Sequence, residues 1–234
     1  MTSDSSVPFG HLSTALAHRY RIERELGVGG IATVYLVQDL KHERDVAIKV
    51  PRENLSASLG KERFLREIQL IAKLSHLHLL PLFESGEANG ALFFVMPNVK
   101  GKSLGDRLDA EGMLPVHDAV RIAQEVASAL DHAHRHDVVH RDIKPDNIML
   151  QDGHALVAEF GTGKALSETD STTLTPAGAC VGTPAYMSPE QAVGEVVDGR
   201  SVLYSLGCML YEMLAGEPPF TGPNVQGVIA KRFV

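Results

Sequence analysis

Strict alternation marks the first half of the chain. In "DVAIKVP" (45–51), Val46, Ile48 and Val50 share one face while Ala47 and Lys49 share the other, which predicts a strand. "VYLVQDL" (34–40) and the stretch opening at "YRIERELG" read the same way, so three strands are expected in succession. The period then lengthens. In "GKERFLREIQLIAKLSH" (60–76), Phe64, Ile68 and Ile71 fall on one stripe with Glu67 beside them, the mark of an amphipathic helix. "LLPLFESGEANGALFFVMP" (79–97) returns to strand character on both sides of Asn89-Gly90, a hairpin signal.

After residue 98 the helical period dominates. "LPVHDAVRIAQEVASALDHAHRH" (114–136) places Val116, Ala119, Ala123, Val126, Leu130 and Ala133 near one face. A loop, short strands and a Gly/Thr/Pro-rich stretch (161–189) follow. "SVLYSLGCMLYEMLAG" (201–216) is apolar on most faces and predicts a buried helix, which "EPPFTGPN" ends. The pattern divides the chain into a polar leader at 1–19 containing a short amphipathic piece, a β-rich part at 20–97 and an α-rich part at 98–234.

Composition narrows the classes. A chain of 234 residues with 44% hydrophobic residues can bury a sizeable core, so disorder is not the default. Lys and Arg total 22 against 29 Asp and Glu, a net charge of −7, which argues against a nucleic-acid partner. Cys180 and Cys208 make neither a disulfide framework nor a CxxC site, so a reducing cytosol is the simple reading. The first residues lack a secretory signal pattern, and no apolar run approaches the ~20 residues of a membrane span.

Three stretches carry chemistry. "LGVGGIATV" (26–34) lies between two strand candidates, where glycines allow backbone N–H groups to approach phosphates; an ordinary hairpin turn explains the same residues. Lys49 in "VAIK" faces one side of its strand and needs an anion if buried, either nucleotide phosphates or Glu67 of the following helix. "HRDIKPDN" (140–147) concentrates Asp142, Lys144 and Asn147 in one Pro-containing loop after the long helix. An Asp there can accept a hydroxyl proton, a Lys can neutralise a migrating phosphoryl group and an Asn can help hold Mg²⁺. His132, His134, His136 and His140 do not suggest a metal site, because only pairs four apart share a helix face and acidic or Cys partners are missing.

"GVGGIATV", "VAIK", "RFLREI", "HRDIKPDN", "EFG", "GTPAYMSPE" and "YSLGCMLYEMLAGEPPF" occur in the order found in protein kinases and span roughly residues 20–225. The sequence resembles a bacterial serine/threonine kinase of the eukaryotic-like kind. That resemblance implies an α+β fold of two lobes: a small β-rich amino-terminal lobe with one main helix, and a larger α-rich carboxy-terminal lobe that is incomplete here. It implies transfer of the γ-phosphate of ATP to Ser or Thr hydroxyls of proteins, with Mg²⁺, or Mn²⁺ in its place.

By position, Lys49 would contact the α/β-phosphates and pair with Glu67, Asp142 would be the catalytic base, and Lys144 marks the serine/threonine variant. Asn147 and Glu159 would be the metal ligands. Leu26, Gly27, Gly29, Val34, Ala47, Met96, Pro97, Val99 and Met149 would surround the nucleotide, with Met96 as gatekeeper and the Pro97 carbonyl and Val99 N–H on the adenine edge. Thr183 would favour hydroxyl substrates, and Arg141 would receive a phosphate placed by self-association and autophosphorylation at Thr173 or Thr175. The implied location is cytoplasmic, with any membrane anchor lying past residue 234.

Three positions and the end of the chain depart from the family pattern. Ala32 replaces the third glycine of the Gly-rich loop. Glu159 stands where an Asp holds the metal; its extra methylene must fold back or push the cation outward. Val202 replaces an Asp whose carboxylate accepts N–H bonds from the catalytic loop. The chain stops at "VIAKRFV", where the family continues for several helices and supplies the Arg partner of Glu190. Weakened activity is therefore expected, and the alternative is a pseudokinase, a nucleotide-binding regulatory module without robust transfer.

Overall fold

The computed structural model describes residues 7–29, 32–51, 68–160 and 184–233. Backbone proximity divides the chain into two units, Met1–Lys73 with Pro81–Asn98, and Leu74–Leu80 with Val99–Val234.

The first unit is built on an antiparallel sheet. Strands β1 (Tyr20–Val28), β2 (Ala32–Asp39), β3 (Arg44–Pro51), β4 (Glu84–Ala88) and β5 (Ala91–Pro97) lie in the order β1-β2-β3-β5-β4. β3 is interior, pairing Lys49 with Val34 on one side and with Phe94 on the other. Its alternation is as expected, but both faces are covered: Val46, Ile48 and Val50 are buried, and so are Ala47 and Lys49. The β4–β5 turn has Asn89 and Gly90 at φ 49° and 85°, the two left-handed positions that a two-residue hairpin requires. The amphipathic piece of the leader is a helix, α1 (Val7–Leu16), whose Leu12 and Leu16 join Tyr20, Val37, Val46, Ile48, Val50, Phe93 and Val95 in one apolar cluster. Residues 68–71 are helical, within the span where the amphipathic stripe was read.

The second unit is mainly helical. A short sheet, β6 (Lys102–Ser103), β7 (Ile148–Gln151) and β8 (His154–Val157), accompanies helices α2 (Leu104–Glu111), α3 (Val116–His134), α4 (Pro189–Ala192), α5 (Gly199–Ala215) and α6 (Val225–Ala230). α2 starts at a capping box in which Ser103 and Asp106 each bond the other's backbone N–H, satisfying two of the orphan donors of a helix start. α3 turns Ala119, Ile122, Val126, Ala129, Leu130 and Ala133 inward, so the period-3.6 stripe is the buried face. α5 packs against it through a face that includes Val202, Leu206, Met209 and Met213, while Leu203 and Tyr211 on the other side remain about half exposed. The 201–216 stretch, apolar on most faces and expected to form a buried helix, is buried on one side. Residues 74–80 belong to this unit because Leu79 bridges Val157 and the backbones of His78 and Leu80 exchange hydrogen bonds with Val157 at 2.9 Å each. Among the described residues no helix is long and apolar enough to cross a membrane.

Candidate active site

The second unit carries a loop between the end of α3 and the start of β7 that gathers Asp142, Lys144 and Asn147. Pro145–Asn147 form a single 3₁₀ turn leading into β7, so Asn147 is folded back toward Asp142. The Asn147 Nδ2 donates to the Asp142 backbone carbonyl at 2.7 Å and to Asp142 Oδ2 at 3.1 Å. Lys144 Nζ lies 3.3 Å from the same Oδ2. Asn147 is buried, whereas the Asp142 side chain keeps about a third of its surface open, 34%. A carboxylate is thus presented to solvent with an amide and an ammonium fixing its direction. With Nδ2 engaged twice, Asn147 retains Oδ1 as its acceptor.

The loop is held from β8. His140 is 1% exposed and donates from Nε2 to the Ala158 carbonyl at 2.8 Å. That bond assigns the proton to Nε2 and leaves Nδ1 to accept the Asp142 N–H at 3.3 Å. Burial is the largest influence on His140 and lowers its pKa, outweighing the Ala158 carbonyl and the Asp142 and Glu159 carboxylates that favour the charged ring. The neutral tautomer that both bonds require is therefore the one the site favours. The Phe160 ring meets the His140 ring edge-on, at 4.6 Å between centroids and 80° between planes. Ala158 N–H returns a bond to the Asn147 carbonyl at 2.8 Å, closing the connection between loop and strand end.

Glu159 follows Ala158, has φ 64° and leaves its carboxylate exposed. Left-handed φ is uncommon for a residue other than glycine and is better tolerated by Asp and Asn than by Glu. The carboxylate of Glu159 and the Asn147 amide oxygen are hard donors, the chemistry that suits Mg²⁺ or Mn²⁺ and not a soft ion.

Residues expected around a nucleotide sit on the first unit's strands and at the start of the second. Leu26, Gly27 and Gly29 lie at the β1–β2 end, where Gly29 N–H donates to the Ala32 carbonyl at 2.8 Å and a Cβ at Gly29 would stand 3.3 Å from that oxygen. Gly27 pairs with Val34, and a Cβ there would meet nothing within 4 Å. Ala47, buried, pairs with Met96, and Val46 with Pro97. Lys49 is 3% exposed on the central strand of the sheet. Val99 and Met149 belong to the second unit, Met149 on β7 opposite Ser103 and Leu156. Glu67, Thr173, Thr175 and Thr183 lie outside the described residues.

Gln191 builds the site without having been singled out from the sequence. Gln191 donates from Nε2 to the Arg141 carbonyl at 2.8 Å. Glu190 accepts the Ser201 hydroxyl, and that bond is the largest factor holding its carboxyl below the usual range. The Ser-x-x-Gln spacing of 188–191 is a readable helix-start signal; its reach to Arg141, 50 positions away, leaves no local trace. Val202 is buried in the first turn of α5 and offers no acceptor. Among the described residues no group of three or more metal-binding side chains comes together, and His140 turns into the core.

Residues 20–233 match the protein kinase domain family. The chain is 43% identical over 215 residues to serine/threonine-protein kinase PknB of Mycolicibacterium smegmatis, covering 89% of this chain and 34% of that protein. It is 38% identical over 218 residues to serine/threonine-protein kinase PrkC of Bacillus subtilis, covering 92% and 33%. The chain thus spans about a third of the length of these curated relatives. Among solved structures, the PknI kinase domain of Mycobacterium tuberculosis superposes with a TM-score of 0.69 at 30% identity, covering 89% of this chain and 81% of that one.

Proposed function

Because the chain belongs to the protein kinase domain family, we propose that it transfers the γ-phosphate of ATP to Ser and Thr hydroxyls of proteins. The observation that carries this reading is the Asp142 carboxylate, part open to solvent and oriented by Asn147 and Lys144 within 3.3 Å. Asp142 accepts the proton of the substrate hydroxyl as that oxygen attacks phosphorus. Lys144 balances the negative charge that spreads over the transferring group. Lys49, buried on the central strand, supplies a cation for the phosphates. Leu26, Gly27, Gly29, Val34, Ala47, Met96 and Pro97 of the first unit receive the nucleotide.

A bound Mg²⁺ or Mn²⁺ supplies charge neutralisation at the phosphate oxygens, and Asn147 with Glu159 would hold it. Glu159 retains the ligand's charge but carries one more methylene than Asp, so turnover falls more than nucleotide affinity. Autophosphorylation at Thr173 or Thr175, read by Arg141, remains part of this proposal. Regulation without transfer is not favoured, because the loop keeps its base, lysine and amide and the relatives are named as serine/threonine kinases.

The test is transfer of labelled γ-phosphate to a generic basic protein by wild type and by Asp142→Asn. Wild type is expected to transfer, and Asp142→Asn to lose at least ~100-fold while still binding nucleotide, the scale of a positioned general base. Equal transfer by the two proteins would overturn the assignment.

A further inference from the structure

Arg141 has φ 64°, a left-handed conformation that is costly for a residue other than glycine and persists only where surrounding contacts impose it. The peptide unit that follows joins Arg141 to the Asp142 carrying the proposed base. Both poles of this unit are gripped. Its N–H, that of Asp142, goes to His140 Nδ1 at 3.3 Å, and its carbonyl, that of Arg141, accepts Gln191 Nε2 at 2.8 Å. His140 belongs to the loop itself. Gln191 does not; it reaches in from α4.

Gln191 is itself fixed. Its Oε1 accepts the Ser188 N–H at 3.1 Å and its own N–H donates to Ser188 Oγ at 3.3 Å, the reciprocal pair of a capping box. The carboxamide therefore has one allowed orientation: oxygen to the helix start, nitrogen to Arg141. Ser188 is fully buried, and the neighbouring Glu190 is tied to Ser201 at the start of α5. α4 is thus moored to α5 on one side and to the catalytic loop on the other. The carboxylate that resemblance led one to expect on α5 as a partner for this loop is absent, because Val202 stands there. Gln191 supplies a tie to the same loop from a different element and with the opposite hydrogen-bond polarity.

We propose that Gln191 is a positioning residue, holding the Arg141–Asp142 peptide in its left-handed turn and so aiming the Asp142 carboxylate; the inference rests on the role given to Asp142 above. A kinase that replaces the α5 carboxylate with valine depends on this glutamine more than on any capping role it plays.

Gln191→Glu and Ser188→Ala separate the two functions. The glutamate keeps the acceptor for Ser188 N–H and loses the donor to Arg141; the alanine removes the cap on Gln191 N–H and keeps the donor. Gln191→Glu is expected to lower kcat ~10–100-fold with the KM for ATP nearly unchanged, the scale of a misaimed catalytic group, and to speed amide exchange across residues 140–147. Ser188→Ala is expected to lower the melting temperature but to leave kcat and exchange in 140–147 close to wild type. Unchanged exchange in Gln191→Glu overturns the proposal, as does a fall in kcat that tracks melting temperature equally in both variants. If the wild type transfers no phosphate, faster exchange confined to Gln191→Glu upholds the positioning role while the transfer reading falls.

Discussion

His140 joins loop conformation to pH, and replacing it with phenylalanine isolates that contribution. Phenylalanine keeps a ring of similar size against Phe160, 4.6 Å away, and removes both ring nitrogens. The Ala158 carbonyl, on a residue only 7% exposed, loses its 2.8 Å donor from His140. An unsatisfied buried acceptor of this kind costs ~1–3 kcal/mol, and the longer bond from Asp142 N–H adds ~0.5–1 kcal/mol. His140→Phe should therefore destabilise the second unit by about 1.5–4 kcal/mol at pH 7.5. The pH dependence provides an independent signature. A histidine whose folded pKa is lowered stabilises fully above its unfolded value of ~6.5 and loses that contribution as pH falls through it, because the unfolded chain then binds the proton first. His76 and His134 are lowered as well, chiefly by burial, so wild type should weaken between pH 7 and pH 5.5 through three groups acting in the same direction. The variant retains two, and its loss on acidification should be shallower by up to ~1.4 kcal/mol per pH unit. Urea unfolding followed by circular dichroism at pH 7.5 and pH 5.5 measures both quantities. A variant as stable as wild type at pH 7.5, or one with the same acid slope, would refute the assignment of a neutral, doubly bonded His140.

Two further outcomes follow from backbone positions with left-handed φ. Glu159→Asp shortens the side chain by one methylene and suits φ 64° better, so kcat for phosphate transfer should rise ~10-fold or more with little change in nucleotide affinity; steady-state kinetics showing no rise would remove Glu159 from the metal site. Gly90→Ala, at φ 85° in the β4–β5 turn, should destabilise the first unit by ~1 kcal/mol or more, read as a lower urea midpoint with unchanged transfer at low temperature.

Several features were legible from local pattern because the interactions that make them are local. Period-2 alternation located β2 and β3, Asn89-Gly90 marked the hairpin, and the 3.6 period outlined α3. The ends are where single capping residues intervene: α5 begins at Gly199, two residues before its apolar run, because the Asp198 side chain accepts the Arg200 N–H. The leader's amphipathic piece was visible, but its docking of Leu12 and Leu16 beneath the sheet was not, since the partners Val37, Ile48 and Phe93 come from three later strands.

The order and spacing of "VAIK", "HRDIKPDN" and "SPE" were enough to determine the family and to nominate Asp142, Lys144 and Asn147, because short loops bring nearby residues together with little freedom. Only the tertiary structure decided how those residues are held. The attachment of residues 74–80 to Val157, the neutral tautomer of His140 and the reach of Gln191 to the Arg141 carbonyl each depend on partners from separate stretches of chain. Their physical basis is the burial of polar backbone groups, which must find a partner wherever the fold places one, and no spacing along the chain records that choice.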